Sequence, residues 1–493
     1  MSDSASVSDT DGQLMLSEYL ERSDLQHFIQ QVTAPDANKQ FISFTFPVPR
    51  FDPLACLEIL SESTSEFNFY WEKPDQELAL SAGGELETIR DEGGDRFRDI
   101  ARRVAQIEQS SASFTLCNHS LSGIHFLGGF SFFDNVKSRW WKPFGSGSLT
   151  VPRWQLIREG KLGLLTINMK LDDGEDQAAA SKKLASQLHR FEQLFRLNMK
   201  PPPFTSNTIN LEEHTVPADQ PEAEWTKIVE EAKELINNNA FDKIVLAREV
   251  VRTTRQPISP TQVLNTLRGQ YPACYNFLIQ NSEGKSFLGC SPERLVSFQK
   301  NYLLTDSLAG SVSRGKTATE DIHLEKFLLN SSKNRSEHQF VTDAIEKHLA
   351  PFIRKIERAD QPDVKKLKNV QHLHTPVRAW LKQDTDRYSI LEKLHPTPAV
   401  GGHPRDRAVP YISKLENFDR GWYAGPVGWF NLNGGGEFAV AIRSSLVDGN
   451  KARLFAGCGI VKDSDPRTEW EETNLKLMPI LAALESNGDR QAE

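Results

Sequence analysis

Cysteine is scarce in this chain, and its arrangement excludes more than it offers. Cys56, Cys117, Cys274, Cys290 and Cys458 are odd in number, scattered and without a Cys-x-x-Cys pair. That spacing argues against a zinc site or a disulfide framework and predicts a reducing compartment. No polybasic block interrupts a chain of net charge −8, so neither nucleic acid nor an acidic membrane surface is expected as a partner. No apolar run approaches the ~20 residues of a membrane span. The stretch from Met1 to Gln13 is rich in Ser and Asp, with neither a basic nor an apolar leader region. A soluble cytoplasmic protein is therefore predicted. The glycine run Gly434-Gly435-Gly436 is followed by no helix, so it is a hairpin turn rather than a phosphate loop. No repeat of fixed period is visible.

What is present is strand. Aromatic or β-branched runs at 41–46, 67–71, 124–130 and 162–171 are closed by Gly, Pro or Asp. Further strands are expected at 244–251, 423–430, 438–447 and 453–461. Helical stripes cover 175–197, 221–238 and 336–349, the last with Ser336 as its N-cap. Long strand runs with few crossover helices predict an α+β fold. Pro201-Pro202-Pro203 marks a break. The expected organisation is a disordered terminus over 1–15, a first half over 16–200, a connection over 201–220, a second region over 221–485 and a disordered tail over 486–493.

Several residues invite chemistry. On the predicted helix after Pro466, Glu469, Glu472 and Lys476 share one face by their i, i+3, i+7 spacing. Two carboxylates suit a hard cation such as Mg²⁺; the alternative is a solvated face with i,i+4 ion pairs. Gly457 and Gly459, on the strand before it, are places where a backbone can approach a ligand. Lys243 shares a strand face with Phe241, Val245 and Ala247. Apolar neighbours favour the neutral amine and hence a general base; the alternative is an edge lysine reaching for water. Glu293 lies in a sharp turn, where burial would keep a carboxyl protonated; the alternative is an ion pair with Arg294. Glu337 is either a metal ligand or a first-turn acid favoured by the helix dipole. Arg443 ends an apolar run, where a guanidinium takes an anionic partner from protein or ligand. His372 and His374 share a strand face, but no third His or Cys lies near enough in sequence to suggest zinc.

Together these segments resemble a family. Residues 241–248, Ser291-Pro292-Glu293, Leu308-Ala309-Gly310-Ser311, Ser336-Glu337-His338, His395 to Gly402, Tyr423 to Gly428, Ala441-Ile442-Arg443 and Ala456 to Lys476 resemble, in order, the chorismate-utilising enzymes. The resemblance spans about 220–482. It implies one large domain of antiparallel sheets packed as a sandwich with helices outside, the first half being the more variable part of the same fold. It also implies chorismate as substrate and Mg²⁺ as cofactor. Members that activate water resemble this chain at Lys243. Members that form a covalent adduct carry lysine at the position of Ala309. Isochorismate-forming members resemble Thr397-Pro398-Ala399, where salicylate-forming and anthranilate-forming relatives more often carry Thr in place of Ala399.

The roles implied by the resemblance are specific. Lys243 is the base and Glu293 the acid. Glu337 and Glu472 hold the metal, with Glu469 in support through water. Arg443, Lys476 and the amides near Gly457 and Gly459 take carboxylate oxygens, and His372 and Gly310 line the ring site. Isochorismate formation is the expected activity, with a salicylate synthase and a non-catalytic chorismate-binding protein as alternatives. No glutaminase subunit is expected, and the chain is expected to be a monomer or weak dimer. Asn334 departs from relatives that place an additional acid three residues before Glu337, which bears on how many carboxylates support the metal.

Overall fold

A computed structural model describes residues 15–61, 66–197, 222–366 and 370–488. The expected 201–220 connection lies outside them, as do nearly all of the expected disordered terminus and the last five residues. The final helix, Pro466–Gly488, runs into the stretch expected as a tail.

The described strands form one branched sheet of twenty strands. One arm begins at Ser111–Thr115, which lies parallel to Phe41–Val48. It continues antiparallel through Leu162–Lys170, Gly147–Glu159, Leu78–Asp91, Asn68–Lys73, Tyr275–Gln280, Ser286–Ser291, Ser444–Asp448, Lys451–Ile460 and Lys243–Thr253. The other arm leaves Gly147–Glu159 through His125–Phe130 and passes Pro426–Asn431, Gly436–Val440, Arg294–Gln299 and Tyr302–Ser313 to Val370–Leu381. First-half strands therefore pair directly with second-half strands in both arms. The fold is one α+β domain that does not divide at residue 200.

Alternation along the strands sorts side chains between two cores. On Phe41–Val48, Phe41 joins one apolar cluster while Ile42, Phe44, Phe46 and Val48 join the other. Asn68–Lys73 repeats the pattern, with Phe69 and Trp71 on one side and Tyr70 on the other. The first cluster fills the space between the arms. The second lies under helices Ser23–Val32, Pro53–Ser61, Gln177–Phe195, Pro260–Gln270 and Pro466–Gly488. The stripe expected on Gln177–Phe195 is buried as predicted, with Leu184, Leu188 and Phe191 fully covered. Burial of each such side chain stabilises by about 1.5–3 kcal/mol. No described helix is long and apolar enough to cross a membrane.

Two local expectations need correction. The helix predicted from Ser336 begins a turn earlier, as Ser332–Leu349. Its N-cap is Ser331, whose hydroxyl accepts the Asn334 N–H at 3.3 Å. Glu337 therefore lies beyond the first turn, where the helix dipole gives it no special support. The strand expected over 438–447 is two strands, Gly436–Val440 and Ser444–Asp448. Arg443 sits between them at φ +50°, a left-handed backbone that breaks the ladder.

Candidate active site

A cleft of about 870 Å³, counting its open mouth, lies where the two arms approach. Its walls include Lys243, Glu293, Gly310, Glu337, His372, Ala399, Arg443, Gly457, Gly459, Glu472 and Lys476. Every residue singled out for the site thus lines one cleft except Glu469.

Lys243 and Val245 point into the cleft from Lys243–Thr253, while Ile244 and Leu246 between them enter the core. The neighbouring strand places Gly459 opposite Val245 and Gly457 opposite Ala247. A Cβ on Gly459 would stand 2.6 Å from Lys243 Cε, and one on Gly457 would stand 2.7 Å from the Leu246 carbonyl oxygen. Both glycines leave space: Lys243 uses that at Gly459, and the Tyr423 hydroxyl borders that at Gly457. Lys243 is only 4% exposed, as the alternation predicts, but its surroundings are not solely apolar. Its Nζ donates to Glu337 Oε1 at 2.5 Å. Burial pushes the Glu337 carboxyl up, but Lys243, Lys476 and Lys333 outweigh it and hold the group below the ordinary carboxylate value.

Glu293 is held from both sides of its backbone. Its N–H donates to Ser291 Oγ at 3.2 Å, and its carbonyl accepts the Val440 N–H at 3.1 Å. Ser291 Oγ in turn donates to the Val440 carbonyl at 2.6 Å. The carboxyl itself makes no hydrogen bond among the described residues. Burial pushes it up to about 7; Lys365 restrains the shift, Asp306 adds to it, and Lys476 and Lys243 restrain it further. Arg294 does not pair with Glu293. It turns away to Tyr275 Oη at 2.9 Å, Asp306 at 3.5 Å and Glu437 at 3.6 Å.

The third wall is Pro466–Gly488. Asp465 starts this helix by accepting the Thr468 N–H at 2.9 Å. Its rotation is fixed from behind. Arg248, on the strand face opposite Lys243, stacks 3.8 Å over the Trp470 ring. The same guanidinium donates to Thr473 Oγ1 at 2.9 Å and to Asn474 Oδ1. That clamp turns Glu472 and Lys476 into the cleft. Lys476 Nζ donates to the Gly457 carbonyl at 2.9 Å and pairs with Glu472 Oε1 at 2.6 Å. The i,i+4 ion pair and the cleft-facing position, set as alternatives by the sequence, are both present. Glu469 lies one turn away, buried, with its carboxyl bonded to Ser464 and raised by burial and by Glu472.

Gly310 takes φ +74° at a bulge in Tyr302–Ser313. A Cβ there would press on Asn334 at 3.1 Å, so Asn334 supports the bulge. Beyond the bulge, Ser311 Oγ and His372 Nδ1 share a hydrogen bond of 2.7 Å. Burial, together with Arg443, Lys476 and Lys365, pushes His372 down to about 3, so the imidazole is neutral. Its Nε2 is buried without a partner among the described residues. His374 points instead to Asp306, 3.0 Å away. Arg443 has no carboxylate within ion-pair distance among the described residues.

Sequence reasoning missed Tyr423 and Arg420 as wall residues. Tyr423 lay inside a motif, but it was expected to open a strand over 423–430, and the strand begins only at Pro426. Its hydroxyl would stand 3.1 Å from a Cβ on Gly457. Arg420 is fully buried, donating to the Val400 carbonyl at 3.0 Å and the Val245 carbonyl at 2.8 Å. Its partner Glu416 accepts the Ala247 N–H at 2.7 Å. The i,i+4 spacing of Glu416 and Arg420 is a visible signal for the pair, but not for what it ties together.

Known proteins match this arrangement over nearly its whole length. A family model described as chorismate binding enzyme matches residues 27–485. The chain belongs to the chorismate binding enzyme family. Isochorismate synthase MenF of Bacillus subtilis is 35% identical over 460 residues, covering 91% of this chain and 94% of that one. The salicylate biosynthesis isochorismate synthase of Pseudomonas aeruginosa is 35% identical over 468 residues, covering 95% and 94%. Among solved structures, MenF, the menaquinone-specific isochorismate synthase of Escherichia coli, superposes with a TM-score of 0.73 at 26% identity, covering 96% of this chain and 100% of that one. Anthranilate synthase component I of Streptococcus pneumoniae shares the fold, with a TM-score of 0.64 at 22% identity and coverage of 83% and 93%.

The donor set can be tested against the implied Mg²⁺. No group of three or more His, Cys, Asp or Glu side chains forms a ready cluster among the described residues. Two carboxylates, Glu337 and Glu472, line the same cleft from different helices. Mg²⁺ takes one or two carboxylates and completes its shell with water and substrate oxygens. The pair fits that requirement.

Proposed function

We propose that this chorismate-binding enzyme is an isochorismate synthase, converting chorismate reversibly to isochorismate. The observation that carries the reading is the pairing of Lys243 with Glu293 in one cleft. One is an amine and the other a carboxyl pushed up to about 7 by burial, with no hydrogen-bond partner to hold its proton. A carboxyl poised near neutrality suits a general acid. The relatives from Bacillus subtilis and Pseudomonas aeruginosa both carry isochorismate synthase in their names, although those names point to different pathways.

The reaction needs water to add at ring C2 while the C4 hydroxyl leaves and the double bonds shift. Lys243 takes the proton from the attacking water as the C2–O bond forms. Glu293 gives its proton to the departing C4 oxygen. One water enters and one leaves, so the change is an isomerisation, and in reverse each group takes the other's part. Arg443, Lys476 and the backbone around Gly457 and Gly459 hold carboxylate oxygens. His372 Nε2 and the Gly310 bulge line the ring. Glu337 and Glu472 would hold Mg²⁺, with Glu469 in support through water. When bound, that cation offsets the charge of the ring carboxylate. Water as nucleophile removes the need for a glutaminase subunit. Cytoplasmic location and a monomer or weak dimer complete the proposal.

Product analysis tests it. Purified protein with chorismate and Mg²⁺ gives isochorismate, and the two acids settle into a mixture. Salicylate with stoichiometric pyruvate makes the chain a salicylate synthase instead. Binding without turnover makes it a non-catalytic chorismate-binding protein.

A further inference from the structure

We infer that Lys365 is a positioning residue for the acid Glu293, fixing the Pro292 carbonyl and setting beside the carboxyl the positive charge that receives its ionised form. The inference rests on the acid role proposed above for Glu293. Lys365 and Lys366 are consecutive on the short strand Asp363–Lys366, and alternation sends them opposite ways. Lys366 points out and pairs with Glu325 at 2.8 Å and Asp321 at 3.2 Å. Lys365 points in, half-buried, with no carboxylate within ion-pair distance among the described residues. Its Nζ donates to the Pro292 carbonyl at 3.2 Å, one residue before the acid. In register it stands opposite His372, whose ring lines the cleft.

A half-buried ammonium without an ion pair is unfavourable unless a charge nearby needs it. Two carboxyls are near. Asp306 already has Arg294 and His374. Glu293 has no hydrogen-bond partner, and its carboxyl must bear a negative charge once it has given up its proton. The charged groups that face Glu293 are Lys365 from Asp363–Lys366, Asp306 from Tyr302–Ser313, Lys476 from Pro466–Gly488 and Lys243 from Lys243–Thr253. Lys243 and Lys476 are each bound to a carboxylate, Glu337 and Glu472. Among the described residues, Lys365 is the one of these cations without a carboxylate partner. Its own burial lowers its affinity for a proton while Asp306 supports it.

The test follows the protonated-carboxyl infrared band of the whole protein over pH, with Glu293→Gln as the blank. In wild type the band that Glu293→Gln removes disappears with a midpoint of about 7. Lys365→Met should raise that midpoint by about one unit, a tenfold gain in proton affinity. Lys365→Arg should keep it near wild type. In turnover, Lys365→Met should lower kcat for chorismate and leave KM near its wild-type value. Lys365→Gln serves as a second variant if the Met variant does not fold. A midpoint that stays at the wild-type value in Lys365→Met or Lys365→Gln, with the Glu293 band still present, overturns the inference and leaves the acid role standing. A Glu293→Gln enzyme that turns over at the wild-type rate overturns the acid role and this inference with it.

Discussion

Two sets of buried charge in this molecule look alike in composition and differ in how completely they are paired. In one, Asp52 is gripped by both terminal nitrogens of Arg268 at 2.7 Å each. Beside them Glu72 takes Arg158 at 2.9 Å and the Tyr70 hydroxyl at 2.7 Å. Each carboxylate has a charged donor, so both are paired as they stand. In the cleft, among the described residues, the Glu293 carboxyl has no hydrogen bond, Arg443 has no carboxylate within ion-pair distance, and His372 Nε2 has no partner. A buried polar group is expected to be satisfied. An unpaired carboxyl, an unpaired guanidinium and an unpartnered imidazole nitrogen around one cleft are what a ligand with polar groups of its own would complete. The comparison separates charge that holds the fold together from charge held ready for chemistry.

The comparison can be broken by mutation. The largest effect should come from the cleft. Glu293→Gln and Lys243→Ala should each fold and each lose roughly 10²–10⁴ in rate, the usual worth of a positioned acid or base. The double variant should lose little more, because both groups act in one transition state. A single variant within a few-fold of wild type would remove that residue from the mechanism. In the paired cluster the loss should be of another kind. Asp52→Ala leaves Arg268 buried without its main counter-ion, which should destabilise the fold by about 3–5 kcal/mol. Urea unfolding would measure this, and KM for chorismate should hold in the protein that stays folded. A raised KM with unchanged stability would contradict the assignment.

A smaller effect is expected at the glycines. Gly459→Ala puts a methyl 2.6 Å from Lys243 Cε, which must shift. Overpacking of this kind costs about 1–3 kcal/mol. Because the flexible lysine moves rather than the backbone, the loss should appear in kcat more than in thermal stability. An enzyme of unchanged kcat would mean that Lys243 works from another position.

Much of this was legible in the sequence because it is local. Strand alternation put Lys243 on a covered face, helical spacing put Glu472 and Lys476 on one side, and glycines marked the close approaches. The segments that carry the family resemblance are those that line the cleft. What was not legible depends on pairings distant in sequence. Glu337 reaches Lys243 across 94 residues, which no window around either could reveal. The left-handed backbone at Arg443 is hidden because an apolar run on both sides reads as one strand. Lys365 reads as one of two surface lysines until the register places it opposite His372. Arg248 reads as a strand residue until the final helix is laid against it.

The stability of wild type and Glu293→Gln, measured by denaturant unfolding across pH, tests the central claim most directly. The carboxyl has an ordinary value of 4.5 and is pushed up to about 7 in the folded protein. Well below 4.5 both folded and unfolded chains keep the proton, and the group contributes no difference. As pH rises through that value the unfolded chain ionises first, so burial of Glu293 lowers stability, by roughly 3 kcal/mol at neutrality. The Gln variant has no such dependence. The account predicts an inactive Glu293→Gln protein that is more stable than wild type at neutral pH, with an advantage that fades as the pH is lowered toward the ordinary carboxyl value. A variant that is less stable than wild type at neutral pH, or equally stable at every pH, would contradict it.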